Sequence, residues 1–127
     1  MRKIFALCLL ILAGGGALVY RHTRLPNKFG DFGGAPAVQV AELLAHPKDY
    51  MKKTVSIEGE VREQCTTMGC YFYFHAGDGT LRVDLVEVAM NAPRMNGKRA
   101  RVEGRMVAYG DGYQFYASAV EFGVGGS

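Results

Sequence analysis

No catalytic signature stands in this chain. There is no His-Glu-x-x-His string, no Gly-rich phosphate loop that opens a helix, and no Ser/His/Asp set in a motif context. The metalloprotease, nucleotide-hydrolase and serine-hydrolase readings are left without support, and the expectation is a chain that is not an enzyme. Acidic residues are missing from the first 30 positions, where Arg2, Lys3, Arg21, Arg24 and Lys28 supply five bases. The formal charge of +3 is therefore lopsided. Residues 31–127 carry ten bases against twelve acids, a net of −2. A nucleic-acid-binding domain usually has a basic footprint. The net charge supplies none, although Arg99, Arg101 and Arg105 form a local stripe. Nucleic acid is accordingly disfavoured as a partner. Cysteine is also scarce. Of three, Cys8 lies in an apolar run, so Cys65 and Cys70 have only each other.

What is present begins with that apolar run, Ile4 to Tyr20, which follows Arg2 and Lys3. Its 17 residues are at the lower limit for crossing a bilayer. Two readings stand for residues 1–23. In one they form an uncleaved anchor, placing the chain in the inner membrane as a single-pass protein with its domain facing the periplasm. In the other they are a signal peptide cut near Gly15 and Ala17, leaving a soluble periplasmic domain. Arg21, Arg24 and Lys28 suit an interfacial flank, which favours the anchor. Residues 24–36 are rich in Gly and Pro without periodicity and are expected to be a flexible tether.

A domain is expected over residues 37–122, followed by a flexible tail over 123–127. The length allows one domain with a modest core. Residues 37–46 place Val40, Leu43 and Leu44 on one face of a short helix that Pro47 ends. Five strand-like runs follow. In the first, 54–64, Val55, Ile57, Gly59 and Val61 alternate with Ser56, Glu58, Glu60 and Arg62. The second, 70–76, is almost wholly aromatic. The third covers 80–86, the fourth 98–109 and the fifth 113–122. The Gly77-Asp78-Gly79 and Gly110-Asp111-Gly112 triplets are expected to be hairpin turns, on the ground that Asp-Gly tolerates positive φ. The first and fourth runs each hold a central glycine, Gly59 and Gly104. Glycine inside a strand is costly unless the strand must bend. The expected class is mainly β: a five-stranded Greek-key barrel of OB-fold type, preceded by the short helix and the N-terminal segment. A flat meander would leave two edges exposed.

The run EGEVREQCTTMGCYFYFHAGDGTLRVDL (58–85), followed by GKRARVEGRM (97–106), resembles a family of exported bacterial OB-fold domains of unknown function. Their signature is Cys-x3-Gly-Cys followed by an aromatic, usually Trp. Cys65, Gly69 and Cys70 fit it, and Tyr71 stands where Trp is usual. The resemblance covers about residues 37–122. It implies an OB barrel outside the cytoplasm and no particular activity.

Cys65 and Cys70 bracket Thr66-Thr67-Met68-Gly69 between the first two strands. Three readings stand. A disulfide closing so small a loop would add roughly 2 kcal/mol, and export makes oxidation the expectation. Alternatively, the two thiolates with Met68 and His75 would suit a soft metal such as Cu(I). A redox-active dithiol is the third reading, although the spacing is not Cys-x-x-Cys. No cofactor is expected.

Alternation places Tyr71 and Tyr73 on one face of the second strand and Phe72 and Phe74 on the other, so one pair must fill the core. Tyr71, Tyr73, Arg82, Arg101 and Tyr116 are the expected binding surface. The function expected is a membrane-tethered binding or accessory module, such as a small subunit or assembly factor of a membrane complex. Its partners would be the inner membrane, through residues 4–20, and a membrane or periplasmic protein. A metal or thiol-redox module at Cys65/Cys70 is the alternative. Binding of single strands or oligosaccharide on the OB face is a second one.

Overall fold

The computed structural model describes residues 27–65 and 70–124. The anchor or signal segment, the first part of the tether, Met68 and the end of the tail lie outside them. Among the described residues no helix is long and apolar enough to cross a membrane.

Among the described residues there are six strands, one short helix and one 3-10 turn: β1 (Lys28–Gly30), α1 (Val40–Ala45), the 3-10 turn (Pro47–Tyr50), β2 (Val55–Glu60), β3 (Tyr71–Ala76), β4 (Gly79–Asp84), β5 (Arg99–Tyr109) and β6 (Gly112–Phe122). The sheet order is β2-β5-β6-β4-β3, with β1 added to β6. The pairs are antiparallel except β4 with β6, which run parallel at Val83–Phe115 and Asp84–Tyr116. A parallel pair between the third and last of the five main strands requires the chain to cross over, and the result is OB-like and partly open.

Period-two patterning explains the core. Phe72 and Phe74 of β3, Leu81 and Val83 of β4, and Ile57 of β2 turn inward with Val102, Met106, Phe115 and Phe122. The buried large side chains stabilise the fold by about 1.5–3 kcal/mol each. Leu43 of α1 is fully buried with them, from a helix that packs on β4, β3 and β2. The two strand glycines are explained by close approach. A β-carbon on Gly59 would lie 2.7 Å from the Phe74 ring. One on Gly104 would run into the Tyr116 carbonyl oxygen, where the β5–β6 register slips between Glu103 and Gly104.

Three expectations are corrected. The closed five-stranded barrel is instead a six-stranded sheet whose ends do not form a ladder. Among the described residues, a single bridge joins the chain just past β2 to β3, Arg62 to Tyr73. The reason is local. Ser56 gives its outer backbone groups to Pro36 and Val38, so residues 36–38 hold that part of the β2 edge instead of β3. Second, the expected tether contributes structure from residue 27 onward. Phe29 pairs with Val120 and packs edge-on against Phe122, 6.2 Å between ring centres. The Glu103 carboxylate accepts from Gly33 N–H at 2.8 Å and Ala35 N–H at 3.1 Å. Third, the hairpin turns are Gly-Asp, not Asp-Gly. Gly77 (φ 59°) and Gly110 (φ 56°) take the positive dihedrals, and Ala76–Gly79 and Tyr109–Gly112 close the ladders around them.

Candidate functional site

The outer surface of β3, β4 and β6 gathers polar aromatics around one arginine. With the phenylalanines of β3 turned inward, Tyr71 and Tyr73 must face out. Register places Arg82 opposite Tyr73, Asp84 opposite Tyr71, and Tyr116 beside Asp84. The β5–β6 hairpin returns over them and brings Tyr109, which is 49% exposed. The Arg82 guanidinium lies 4.0 Å from the centre of the Tyr71 ring and 4.8 Å from that of Tyr109. Such cation–π pairs are worth about 0.5–2 kcal/mol each, more when desolvated. Tyr71 also meets Tyr73 edge-to-face at 6.0 Å.

Hydrogen bonds fix the arginine in place. Arg82 Nε donates to Gln114 Oε1 at 3.0 Å, and Gln114 Nε2 donates to Asp84 Oδ2 at 3.1 Å. Asp84 Oδ1 accepts from Val86 N–H at 2.8 Å. Partial burial works against the Arg82 charge, but the Tyr73 hydroxyl, Tyr109 and Asp84 outweigh it and raise its pKa further. At the other end of the face, a hydrogen bond to Glu87 raises the Tyr116 phenol, with burial and Asp84 adding to it and Arg105 opposing. The arrangement offers flat rings with hydroxyls around a rigid, permanently charged centre. Tyr and Arg are the residue types that dominate binding hot spots.

Four of the five expected surface residues thus come together: Tyr71, Tyr73, Arg82 and Tyr116. Arg101 does not join them. It sits beneath Phe32, 4.3 Å from the ring centre, with Glu121 at 3.8 Å. Sequence reasoning missed Tyr109, Gln114 and Asp84. Tyr109 could have been found from its place directly before the Gly110 turn, which must fold its side chain back across the hairpin. Gln114 carried no sequence signal.

Cys65 and Cys70 lie at the rim of the same face. Cys65 N–H donates to the Tyr71 carbonyl at 3.0 Å, and Leu85 N–H to the Cys70 carbonyl at 2.7 Å. The Cys65 and Cys70 side chains are in contact with each other. Burial pushes the Cys70 thiol up, and contact with Cys65 pushes it further. His75 is not brought to them. It is five residues along β3 from Cys70, roughly 16 Å, and its Nε2 pairs with Glu63 Oε1 at 3.1 Å. Among the described residues no three metal-binding side chains cluster.

A small, mainly β domain with an aromatic–arginine face is the class that fold and site define. In fold the chain is similar to a solved structure described as the hypothetical protein ygiW from E. coli, with a TM-score of 0.53 and 13% identity over 73% of this chain and 98% of that one. At that identity the likeness concerns the fold alone. No family model matches the chain, and no curated protein matches it.

Proposed function

We propose that this chain is a non-enzymatic OB-fold binding or accessory module. It is held at the periplasmic side of the inner membrane by residues 4–20 and grips a membrane or periplasmic protein through its β3–β4–β6 face. The observation that carries this is the Arg82 guanidinium, held between the Tyr71 and Tyr109 rings on the outside of the sheet. A stacked, hydrogen-bonded arginine with an exposed ring over it costs little entropy when it meets a partner. The neighbouring tyrosine hydroxyls supply polar contacts. Capture from native membranes in mild detergent tests the proposal. The full chain should recover a defined partner, and the Arg82→Ala/Tyr109→Ala variant should lose it. Equal recovery by both, or none by either, counts against the proposal.

A second reading rests on the contact between Cys65 and Cys70. In an oxidising compartment the pair would close to a disulfide beside Tyr71, releasing two protons and two electrons to a thiol oxidant. The raised Cys70 thiol favours a structural staple over a reactive dithiol, because little of it is thiolate at neutral pH. Intact mass with thiol labelling, on protein recovered without reductant, separates the two.

A further inference from the structure

The arginines of this sheet differ in what balances their charge. Arg62, Arg99 and Arg101 each stand 3.2 to 3.9 Å from a carboxylate of the chain itself. Among the described residues no ion pair of that length reaches Arg82. The acid beside it on β4, Asp84, is engaged elsewhere. Its Oδ2 accepts from Gln114 Nε2 at 3.1 Å and its Oδ1 from Val86 N–H at 2.8 Å. Asp84 therefore meets the guanidinium through Gln114 and not directly.

Arg82 is also held still. The Tyr71 and Tyr109 rings lie 4.0 and 4.8 Å from it, and its Nε is spent on Gln114. The Nη edge is left, with the Tyr73 hydroxyl against it. Among the described residues the one side-chain polar atom buried without a partner is Arg101 Nε. Any Nη group of Arg82 that Tyr73 does not occupy is thus open to solvent. After Nε and Tyr73 are served, an arginine fork still has donors for both oxygens of a carboxylate. The rest of the face limits what can sit there. Register places Arg105 opposite Tyr116, with Asp84 on its other side. Glu87 bonds the Tyr116 hydroxyl. Two arginines share the face with two carboxylates, so it lacks the basic footprint that a run of phosphates needs. A single carboxylate needs only the Nη edge. Apolar surface flanks that edge, since Tyr109 is 49% and Val86 44% exposed.

We propose that this face recognises its protein partner through one glutamate or aspartate side chain, which forks onto the Nη edge of Arg82. Apolar residues beside that acid lie on Tyr109 and Val86. The inference rests on the reading of the β3–β4–β6 face as the partner surface, and it names the chemistry of what docks there. Three observations carry it. The cation has no direct carboxylate partner, its fork is fixed in place before binding, and its Nη edge is not sealed. A fixed fork loses less freedom per bond formed than a mobile lysine would.

The probe is a labelled, end-capped hexapeptide of Leu and Ser with one Glu, added to the full chain in mild detergent. Saturable binding tighter than about 1 mM is expected, with movement of the Arg82 Nε–H and Tyr109 ring signals. The same peptide with Gln in place of Glu should bind about tenfold more weakly, because a charge-assisted bond is roughly twice as strong as a neutral one. Arg82→Met should remove the difference between the two peptides. A phosphoserine analogue should bind no tighter than the Glu peptide, since Asp84 and Glu87 oppose its extra charge. The inference is overturned by no binding at about 1 mM, by equal binding of the Glu and Gln peptides, or by tighter binding of the phosphoserine one. The Glu and Gln comparison uses the unaltered protein, so it decides the matter even if Arg82→Met does not fold. Glu-selective binding with no partner recovered from membranes leaves the carboxylate site standing and strikes the wider reading. Recovery of a defined partner with equal binding of both peptides strikes this inference alone.

Discussion

Arg82 and Arg101 each lie over an aromatic ring on the outside of the same sheet, yet they serve different ends. Arg101 is roofed by the chain's own return: Phe32 stacks on it, and the Glu103 carboxylate clasps Gly33 and Ala35 over it. Among the described residues its buried Nε has no hydrogen-bond partner. Arg82 has Nε satisfied by Gln114 and is roofed by Tyr109, a half-exposed ring at a hairpin end. An arginine–aromatic pair is therefore not a site in itself. What matters is whether another part of the chain covers it.

The comparison can be broken outright at Gly104. Both regions depend on the β5–β6 ladder, and a β-carbon there meets the Tyr116 backbone and the Phe115 ring. Gly104→Ala is expected to cost at least about 3 kcal/mol in chemical denaturation and to disturb both arginines.

Glu103→Ala separates the two regions. It leaves the Gly33 and Ala35 N–H groups without their charged acceptor and should cost about 2–3 kcal/mol. Exchange of those two amides should speed up, while the Tyr109 ring signals stay in place. Movement of Tyr109 would mean that the two regions are coupled.

A smaller effect contrasts the arginines directly. Arg101→Met keeps the packing against Phe32 and removes an unsatisfied buried group, so stability should change by less than about 1 kcal/mol, with partner capture unchanged. Arg82→Met should also leave the fold within about 1 kcal/mol but cut partner capture about tenfold. Equal capture by both variants would remove the functional distinction.

The smallest expected effect is a pH dependence at the rim of the aromatic face. Cys70 is raised above the ordinary thiol value of 9.0. A group raised in the folded state stabilises it fully below the unfolded pKa, and that contribution is lost as pH climbs through the folded one. Denaturation midpoints should fall from about pH 9 upward, less so in Cys70→Ser. A midpoint that rises over that range would contradict the burial of the thiol.

Much of the sheet was legible because strand patterning is local. That Phe72 and Phe74 share one face of β3 and Tyr71 and Tyr73 the other follows from alternation alone, and the two hairpins follow from the Gly-Asp-Gly triplets. The turn type was misjudged by one residue, since Gly-Asp-Gly allows either pair to lead and strand register makes the choice. Residues 27–36 could not be read as part of the fold. Their aperiodic Gly and Pro look like linker, and their hold comes from Glu103 some 70 positions away in the chain. For the same reason Glu103, a charged residue in a strand, is buried. Tyr71, Tyr73, Arg82 and Tyr116 could be nominated from their chemistry and alternation, but Gln114 could not, because it reaches Arg82 and Asp84 only through the pairing of β6 with β4.

By itself the sequence determined which residues of each strand share a face, where the chain turns, and which residue types a binding face would use. These depend on a period of two and on glycine dihedrals, both set within a few neighbours. The tertiary structure alone decided which arginine is roofed, which strand edge stays open and which side chains meet. Those outcomes depend on contacts between residues far apart in the chain, where burial and hydrogen bonding across the sheet override local preference.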